Sequence, residues 1–325
     1  MKVTCSKKDL NNTVLIGSSG TGSAFAASLA LRRNLGNSVK IITTDTNLKY
    51  LVTSSLISDK FFQVPDAVKP EFLNTIRRII EEEEIDTYIP FIDEEIFKAA
   101  LLYEEGEFKE KLNLQVKDSK IANLCNDKYE TFLWLSELNI RTPLCLNEEN
   151  RLHNIDKYIL KPRKGFGSNV KRLSEIKGSI SNYNLEEFII QEECGKPEIT
   201  IDVCYDKIRN YFNYVCRERI EVKCGVCTKA RLFYDKKLEK IAYTIADNLN
   251  LNSYCFQVMN YKGEWAVTDI NARLGAGTAM SFAAGMDFYS GMFAILWGED
   301  PSKYFRPLLK ETFVTRQYSD FLMNS

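Results

Sequence analysis

The stretch Phe256-Gln-Val-Met-Asn-Tyr-Lys-Gly-Glu-Trp-Ala-Val-Thr-Asp-Ile-Asn-Ala-Arg273 decides how this chain is read. Two apolar-alternating runs flank Tyr261-Lys262-Gly263-Glu264, which is turn chemistry, so the segment reads as a β-hairpin. Strand side chains alternate between faces, which puts Asp269 and Asn271 on one face. A turn centred on Gly263 sets Gln257 opposite Asp269. Three oxygen-bearing side chains then meet where a sheet face normally carries Val or Ile. Such a set suits magnesium, which takes a few protein oxygens and completes its shell with water and substrate phosphates. The commoner alternative is a solvent-facing strand that happens to be polar.

A second stretch weighs against that alternative. In Tyr158-Ile-Leu-Lys-Pro-Arg-Lys-Gly-Phe-Gly-Ser-Asn-Val-Lys-Arg172 an apolar strand ends at Lys161, and a glycine-rich loop, Gly165 to Ser168, follows. Glycines let backbone N–H groups approach a phosphate, while Lys161, Arg163 and Lys164 supply charge. The pattern GxxxxGK[ST] is absent and no helical period follows. A strand–loop–strand flap over phosphates fits better, although a tight hairpin turn also needs glycine.

In order and spacing these features resemble the ATP-grasp superfamily, and within it the carbamoyl-phosphate-synthetase-like carboxylate–amine ligases, from about Val14 to Gly285. The resemblance implies an α/β chain with the ATP-grasp fold. Its parts are a Rossmann-like parallel-sheet N-terminal domain (1–119), a small phosphate-flap subdomain (120–187) and a C-terminal α+β subdomain (188–325) with the metal site. Lys128 and Lys161 match the two phosphate-binding basic residues. Gly165, Gly167 and Ser168 match the phosphate loop. Phe188 to Cys194 looks like the strand whose backbone reads adenine, at Glu192 and Cys194. Glu198 matches the acidic residue on the ribose hydroxyls. Gln257, Asp269 and Asn271 match the magnesium ligands, and Arg273 the arginine on the transferring phosphate or the substrate carboxylate. Two departures stand out. The family usually carries Glu where this chain has Asp269, and Cys227 replaces a histidine of the nucleotide contact.

The implied cofactors are ATP and Mg2+, with Mn2+ as a substitute. The implied reaction activates a small-molecule carboxylate as an acyl phosphate and joins it to an amine, releasing ADP and phosphate. Lys161 and Arg273 are the expected catalytic residues. A non-catalytic ATP-binding regulator and a small-molecule kinase of the same fold are the alternatives. For the substrate, Arg217 and Arg219 share one strand face. A forked pair suits an anion, and basic residues on an exposed strand edge equally suit protection against aggregation.

Composition narrows the classes. The 325 residues suffice for two or three compact units, and a net charge of −1 offers no basic face for nucleic acid. No apolar run is long enough to span a membrane. Nine cysteines, odd in number and scattered, fit a reducing cytoplasm. Cys224-x-x-Cys227 lacks further ligands for zinc, and His153, the single histidine, has no evident partners for nucleophilic catalysis.

Near the N-terminus, Thr13–Gly17 (strand), Ser23–Arg33 (helix) and Val39–Asp45 (strand) read as a βαβ opening with a parallel sheet. Helices are expected over 70–84 and 236–249, and from Asp93 onward, with Asp93 as N-cap or substrate contact. Asp127-x-x-Glu130 resembles a capping box. The turn Gly17-Ser-Ser-Gly-Thr-Gly22 invites a dinucleotide reading, but its spacing is not G-x-G-x-x-G. Met292, Phe293 and Trp297 suit the core, with a homodimer contact as the alternative.

Overall fold

The computed structural model describes residues 12–146, 157–165, 170–175, 183–223 and 225–323. Gly167, Ser168, His153 and Cys224 therefore lie outside the described residues.

The opening is a parallel sheet. Strands β1 (Asn12–Ile16), β2 (Val39–Asp45), β3 (Lys60–Gln63), β4 (Thr87–Ile89) and β5 (Asn113–Leu114) lie in the order β3-β2-β1-β4-β5. Buried on both faces, β1 and β2 read as near-continuous apolar runs. Leu15, Ile42 and Tyr88 face α2 (Glu71–Glu82) and α3 (Asp93–Glu104), while Val14, Ile16 and Ile41 face α1 (Gly22–Leu35). Asp93 is not the N-cap of α3. Ile92 holds that position without a side-chain bond, and Asp93 is spent elsewhere.

Helices α4 (Ser119–Asn126) and α5 (Lys128–Glu137) lead to a four-stranded antiparallel sheet. It contains β6 (Cys145–Leu146), β7 (Tyr158–Pro162), β8 (Lys171–Arg172) and β9 (Phe188–Glu192), ordered β6-β9-β7-β8. The third sheet holds β10 (Gly195–Asp206), β11 (Tyr211–Lys223), β12 (Val226–Phe233), β13 (Ser253–Tyr261), β14 (Glu264–Asn271) and β15 (Thr312–Thr315), ordered β14-β13-β10-β11-β12-β15. Helix α6 (Lys236–Leu249) covers one face, packing Leu238, Ala242 and Ile245 against Ile199, Ile201, Val203 and Phe256. Period 2 sends Glu198, Thr200 and Asp202 to the other face. That face meets α7 (Thr278–Ala283) and α8 (Phe288–Leu296), and through α8 the α1 side of the parallel sheet. Met292 and Phe293 belong to this shared core, and the Trp297 ring N–H donates to Thr87 Oγ1 at 2.9 Å, so these residues are spent inside the chain. Among the described residues no helix is long and apolar enough to cross a membrane.

One buried acid sits at the mouth of the parallel sheet. Glu95, 3% exposed, accepts hydrogen bonds from the hydroxyls of Tyr88 (2.5 Å) and Ser18. Burial pushes its carboxyl up to about 7, assisted by the nearby Asp45 charge and opposed by the two hydroxyls. Below its ordinary value of 4.5 the group is neutral in both folded and unfolded chains. From there to about pH 7 the unfolded chain gives up its proton first, so folding stability falls as pH rises. A shift of this size corresponds to at most ~3 kcal/mol. Glu95→Gln is therefore expected to melt higher than the parent at pH 8 and close to it at pH 5. A melting difference that does not change with pH would remove Glu95 as the cause.

Candidate functional site

The hairpin forms, with a twist that composition did not foretell. Lys262 (φ +53°) and Gly263 (φ +84°) make a two-residue turn with both central residues in the left-handed region, which favours glycine at the second. Such a turn pairs Tyr261 with Glu264 and Val258 with Val267, and on its own continues to Gln257 opposite Thr268. A bulge intervenes at Thr268, so Gln257 faces Asp269 and Cys255 faces Asn271. The expected pairing is present, and the bulge rather than the turn's centre supplies the extra residue.

The bulge does a second thing. Thr268, which the register skips there, accepts through its carbonyl from the Lys161 ammonium of the neighbouring sheet at 3.3 Å. Lys161, 6% exposed, stands on β7. Burial pulls its pKa down, and the charge of Asp269 opposes that. Lys128, also buried, donates to the carbonyls of Gly165 (2.9 Å) and Arg163 (3.4 Å). Its position is fixed by Asp127, which caps α5 by accepting from the N–H groups of Tyr129 (3.0 Å) and Glu130 (3.4 Å). The same carboxylate takes the Arg163 fork at 3.0 and 2.8 Å. Only half of the expected capping box is made, since the Asp127 N–H bonds Asn123 O. Arg163 is thus a strut between helix and loop. Asp127→Ala removes a cap and leaves Arg163 only the more exposed Glu130 carboxylate, at 3.6 Å, with an expected loss of about 2 kcal/mol in urea unfolding. A loss within error of zero would show that the strut is idle.

Asn271 Nδ2 lies 3.1 Å from Asp269 Oδ2, close enough for the two side chains to share one ion. Gln257 stands beside them across the strand pair. One carboxylate and two amides fit a cation that draws most of its negative ligands from a nucleotide. Among the described residues no cluster of three His, Cys, Asp or Glu side chains forms. Arg273 follows β14 and donates from Nε to Asp93 Oδ1 at 3.1 Å, joining the hairpin to the first turn of α3.

The residues expected at the nucleotide, Glu192, Cys194 and Glu198, lie on β9, between the two strands and on β10. The Glu192 carboxylate takes Lys262 Nζ at 2.8 Å and the Tyr261 hydroxyl, so its side chain braces the hairpin turn. Cys194 is half-buried, and burial pushes its thiol up to about 11. Glu198 is ion-paired with Arg219, whose Nη2 also donates to Gly225 O at 2.9 Å.

Arg217 requires a correction. It shares a face with Arg219, and the strand-edge reading does not hold. Strand β11 is interior, between β10 and β12, so this is no exposed edge. Arg217 itself is 2% exposed and paired at 3.2 Å with Asp202, so a carboxylate of the chain occupies its fork. Sequence reading missed Asp202. The signal was the alternation Glu198-Ile-Thr-Ile-Asp202, which marks a second polar strand face next to the hairpin. The dinucleotide alternative for the Gly17–Gly22 turn also meets an obstacle, because the Gly20 N–H is taken by Asp45 Oδ2 at 2.7 Å.

With this geometry in view, two family models match. One is described as an ATP-grasp domain and covers residues 125–277, and the other as a PylC-like N-terminal domain and covers residues 14–116. A comparison with curated proteins gives no match. Among solved structures the chain is similar to N5-carboxyaminoimidazole synthetase from Staphylococcus aureus, at TM-score 0.69 and 12% identity over 93% of this chain and 81% of that one. It is similar to L-amino acid ligase from Bacillus licheniformis, at TM-score 0.67 and 14% identity over 88% and 74%. A third is the biotin carboxylase domain dimer of Hydrogenobacter thermophilus 2-oxoglutarate carboxylase, in complex with MgADP, ADP and bicarbonate, at TM-score 0.67 and 14% identity over 89% and 70%. At such identities these structures speak for the fold alone. The two family models and the shared architecture agree: the chain has the ATP-grasp fold, with an ATP-grasp domain over residues 125–277 behind a PylC-like N-terminal domain.

Proposed function

We propose that this protein is an ADP-forming ligase that activates a small-molecule carboxylate with ATP and passes it to an amine. The observation that carries the reading is the convergence of Lys161 and Asp269, from two different sheets, at the bulge beside Asn271. Phosphoryl transfer asks a protein for position and charge neutralisation more than for a nucleophile of its own. Lys161 and Lys128 supply buried positive charge for phosphate oxygens. Lys128 would exchange the carbonyls of Gly165 and Arg163 for a phosphate. Magnesium, held by Gln257, Asp269 and Asn271, would neutralise ATP phosphates. Arg273 is always charged and forks onto two oxygens, which suits the acid's carboxylate or the transferring phosphoryl group. Backbone groups at Glu192 and Cys194 would read adenine, and Glu198 the ribose hydroxyls. In this reading residues 1–119 face the acid, 120–187 carry the phosphate flap and 188–325 carry nucleotide and metal.

The test is turnover with hydroxylamine as the amine. Purified protein, Mg2+ and ATP are screened against pooled carboxylates, following ADP, AMP and hydroxamate. ADP with a hydroxamate from one pool is the expected result. AMP would point to an adenylate and overturn the acyl phosphate route. A released phosphorylated product without hydroxamate would make the protein a kinase, and tight ATP binding with no turnover on any pool would favour a binding protein.

A further inference from the structure

The Asp202–Arg217 pair lies on the polar face of the third sheet, in rows continuous with the hairpin. Thr200 faces Arg217 on one side and Gln257 on the other, and Asp202 faces Cys255, which faces Asn271. Burying two charges costs several kcal/mol per ion unless the remaining hydrogen-bonding capacity is filled. Here it is filled from one place. Asp202 accepts from Arg217 Nε (3.4 Å) and Nη2 (3.2 Å), from Thr278 Oγ1 (2.8 Å) and from Ser281 Oγ (2.6 Å). Thr278 and Ser281 belong to α7, which begins where the loop after Arg273 ends.

That loop, Leu274–Gly277, is tied down along its length. The Gly275 N–H donates to Thr278 Oγ1 at 3.1 Å, and the Tyr289 hydroxyl donates to Gly275 O at 3.3 Å. Arg316 donates to Ala276 O at 2.7 Å. Gly277 has φ −74°, which any residue adopts. A Cβ there would nonetheless lie 2.0 Å from Arg217 Nη1 and 2.4 Å from its Cζ. Glycine is needed because the backbone rests on the guanidinium. A guanidinium spans Asp202 with two nitrogens and presents the third to Gly277, whereas an ammonium is a point charge.

We propose that Arg217 is a positioning residue: clamped by Asp202, its guanidinium is the floor on which the Gly275–Gly277 loop sits, and so it sets the placement of Arg273. This rests on the reading of Arg273 as the cation that meets the acid or the transferring phosphoryl group. It assigns to Arg217 a role in the rate of the reaction without contact to the substrate.

Two variants of the full chain test it, Arg217→Lys and Gly277→Ala. The second keeps both charged side chains, drives a methyl group between the loop and the guanidinium, and decides the matter alone where the first fails to fold. Two readouts are taken. Amide hydrogen exchange at Gly275, Thr278 and Met280, measured without substrate, is expected to speed up in both variants. With the acid identified by the hydroxamate screen, kcat/KM is expected to fall about 10- to 100-fold, mostly in kcat, with unchanged MgADP affinity. Unchanged exchange in both variants overturns the proposal, as does faster exchange with parental kcat/KM. Unchanged exchange with a raised KM for the acid alone makes Arg217 a substrate ligand and overturns it too. Because exchange needs no substrate, failure of the ligase reading shows separately, as the absence of ADP formation by the parent protein.

Discussion

Lys161→Met is expected to lower turnover by about 10²- to 10³-fold while leaving the protein folded, the loss typical when one preorganised charged donor is taken from a transition state. The argument turns on where the ammonium is. It is buried at the junction of two sheets, beside Asp269 and 3.3 Å from the Thr268 carbonyl. A charge held there is worth more to a developing phosphoryl anion than one in water, because the surrounding dielectric is low. The same burial makes it costly to the fold, which is why its pKa is pulled down. Methionine keeps an unbranched side chain, one atom shorter, and drops the charge. Thr268 O then loses a donor, a cost of about 1 kcal/mol, offset by relief from desolving an ammonium. The urea midpoint should barely move, and the effect should appear in kcat. Parental turnover in this variant would remove Lys161 from the phosphate site.

The contrast between a large kinetic and a small stability effect follows from how the site is built, and it explains what could be read in advance. Elements with a strong period were legible. Helix α6 and strand β2 were bounded to the residue, because Leu238, Ile241, Ile245 and Leu249 repeat at helical spacing and Val39 to Asp45 is apolar or Thr apart from the exposed Lys40 and the terminal Asp45. The short strands β5 and β15 left no such trace. Their two and four residues carry little pattern, and pairing to a neighbour decides them. Asp93 shows the limit of local chemistry. Its sequence context fits an N-cap, and a partner 180 residues away, Arg273, claims it instead.

The candidate site divides in the same way. Side chains whose roles depend on alternation along one strand, Asp269 and Asn271, were placed by period alone. Those that depend on what lies across the sheet were not. Nothing in Val215-Cys-Arg-Glu-Arg219 says that Arg217 meets Asp202 and Arg219 meets Glu198, since the register of β10 against β11 is set by the whole strand pair. Nor does the hairpin sequence announce the bulge at Thr268, although Gln257 faces Asp269 only because of it.

Asp269→Asn follows from that bulge and should raise the magnesium concentration for half-maximal turnover by at least about 10-fold. Of Gln257, Asp269 and Asn271, only Asp269 carries charge, so the variant leaves three neutral amide donors. Divalent affinity in such oxygen sites is tuned by the count of charged ligands. The shape of the side chain is conserved, and the Asn271 amide that lies 3.1 Å from Asp269 Oδ2 can still be met by an amide oxygen, so the hairpin itself should hold. The Lys161 ammonium, in contrast, loses the carboxylate that offsets its burial. Two defects thus arrive together, weaker metal support and a less favourable setting for the charge on Lys161. Saturating magnesium corrects only the first, so turnover at high metal should recover in part and level off below the parent. A magnesium titration superimposable on the parent's would show that the hairpin does not hold the ion. Full recovery at high metal would show that Asp269 serves the metal alone and that Lys161 keeps its charge without it.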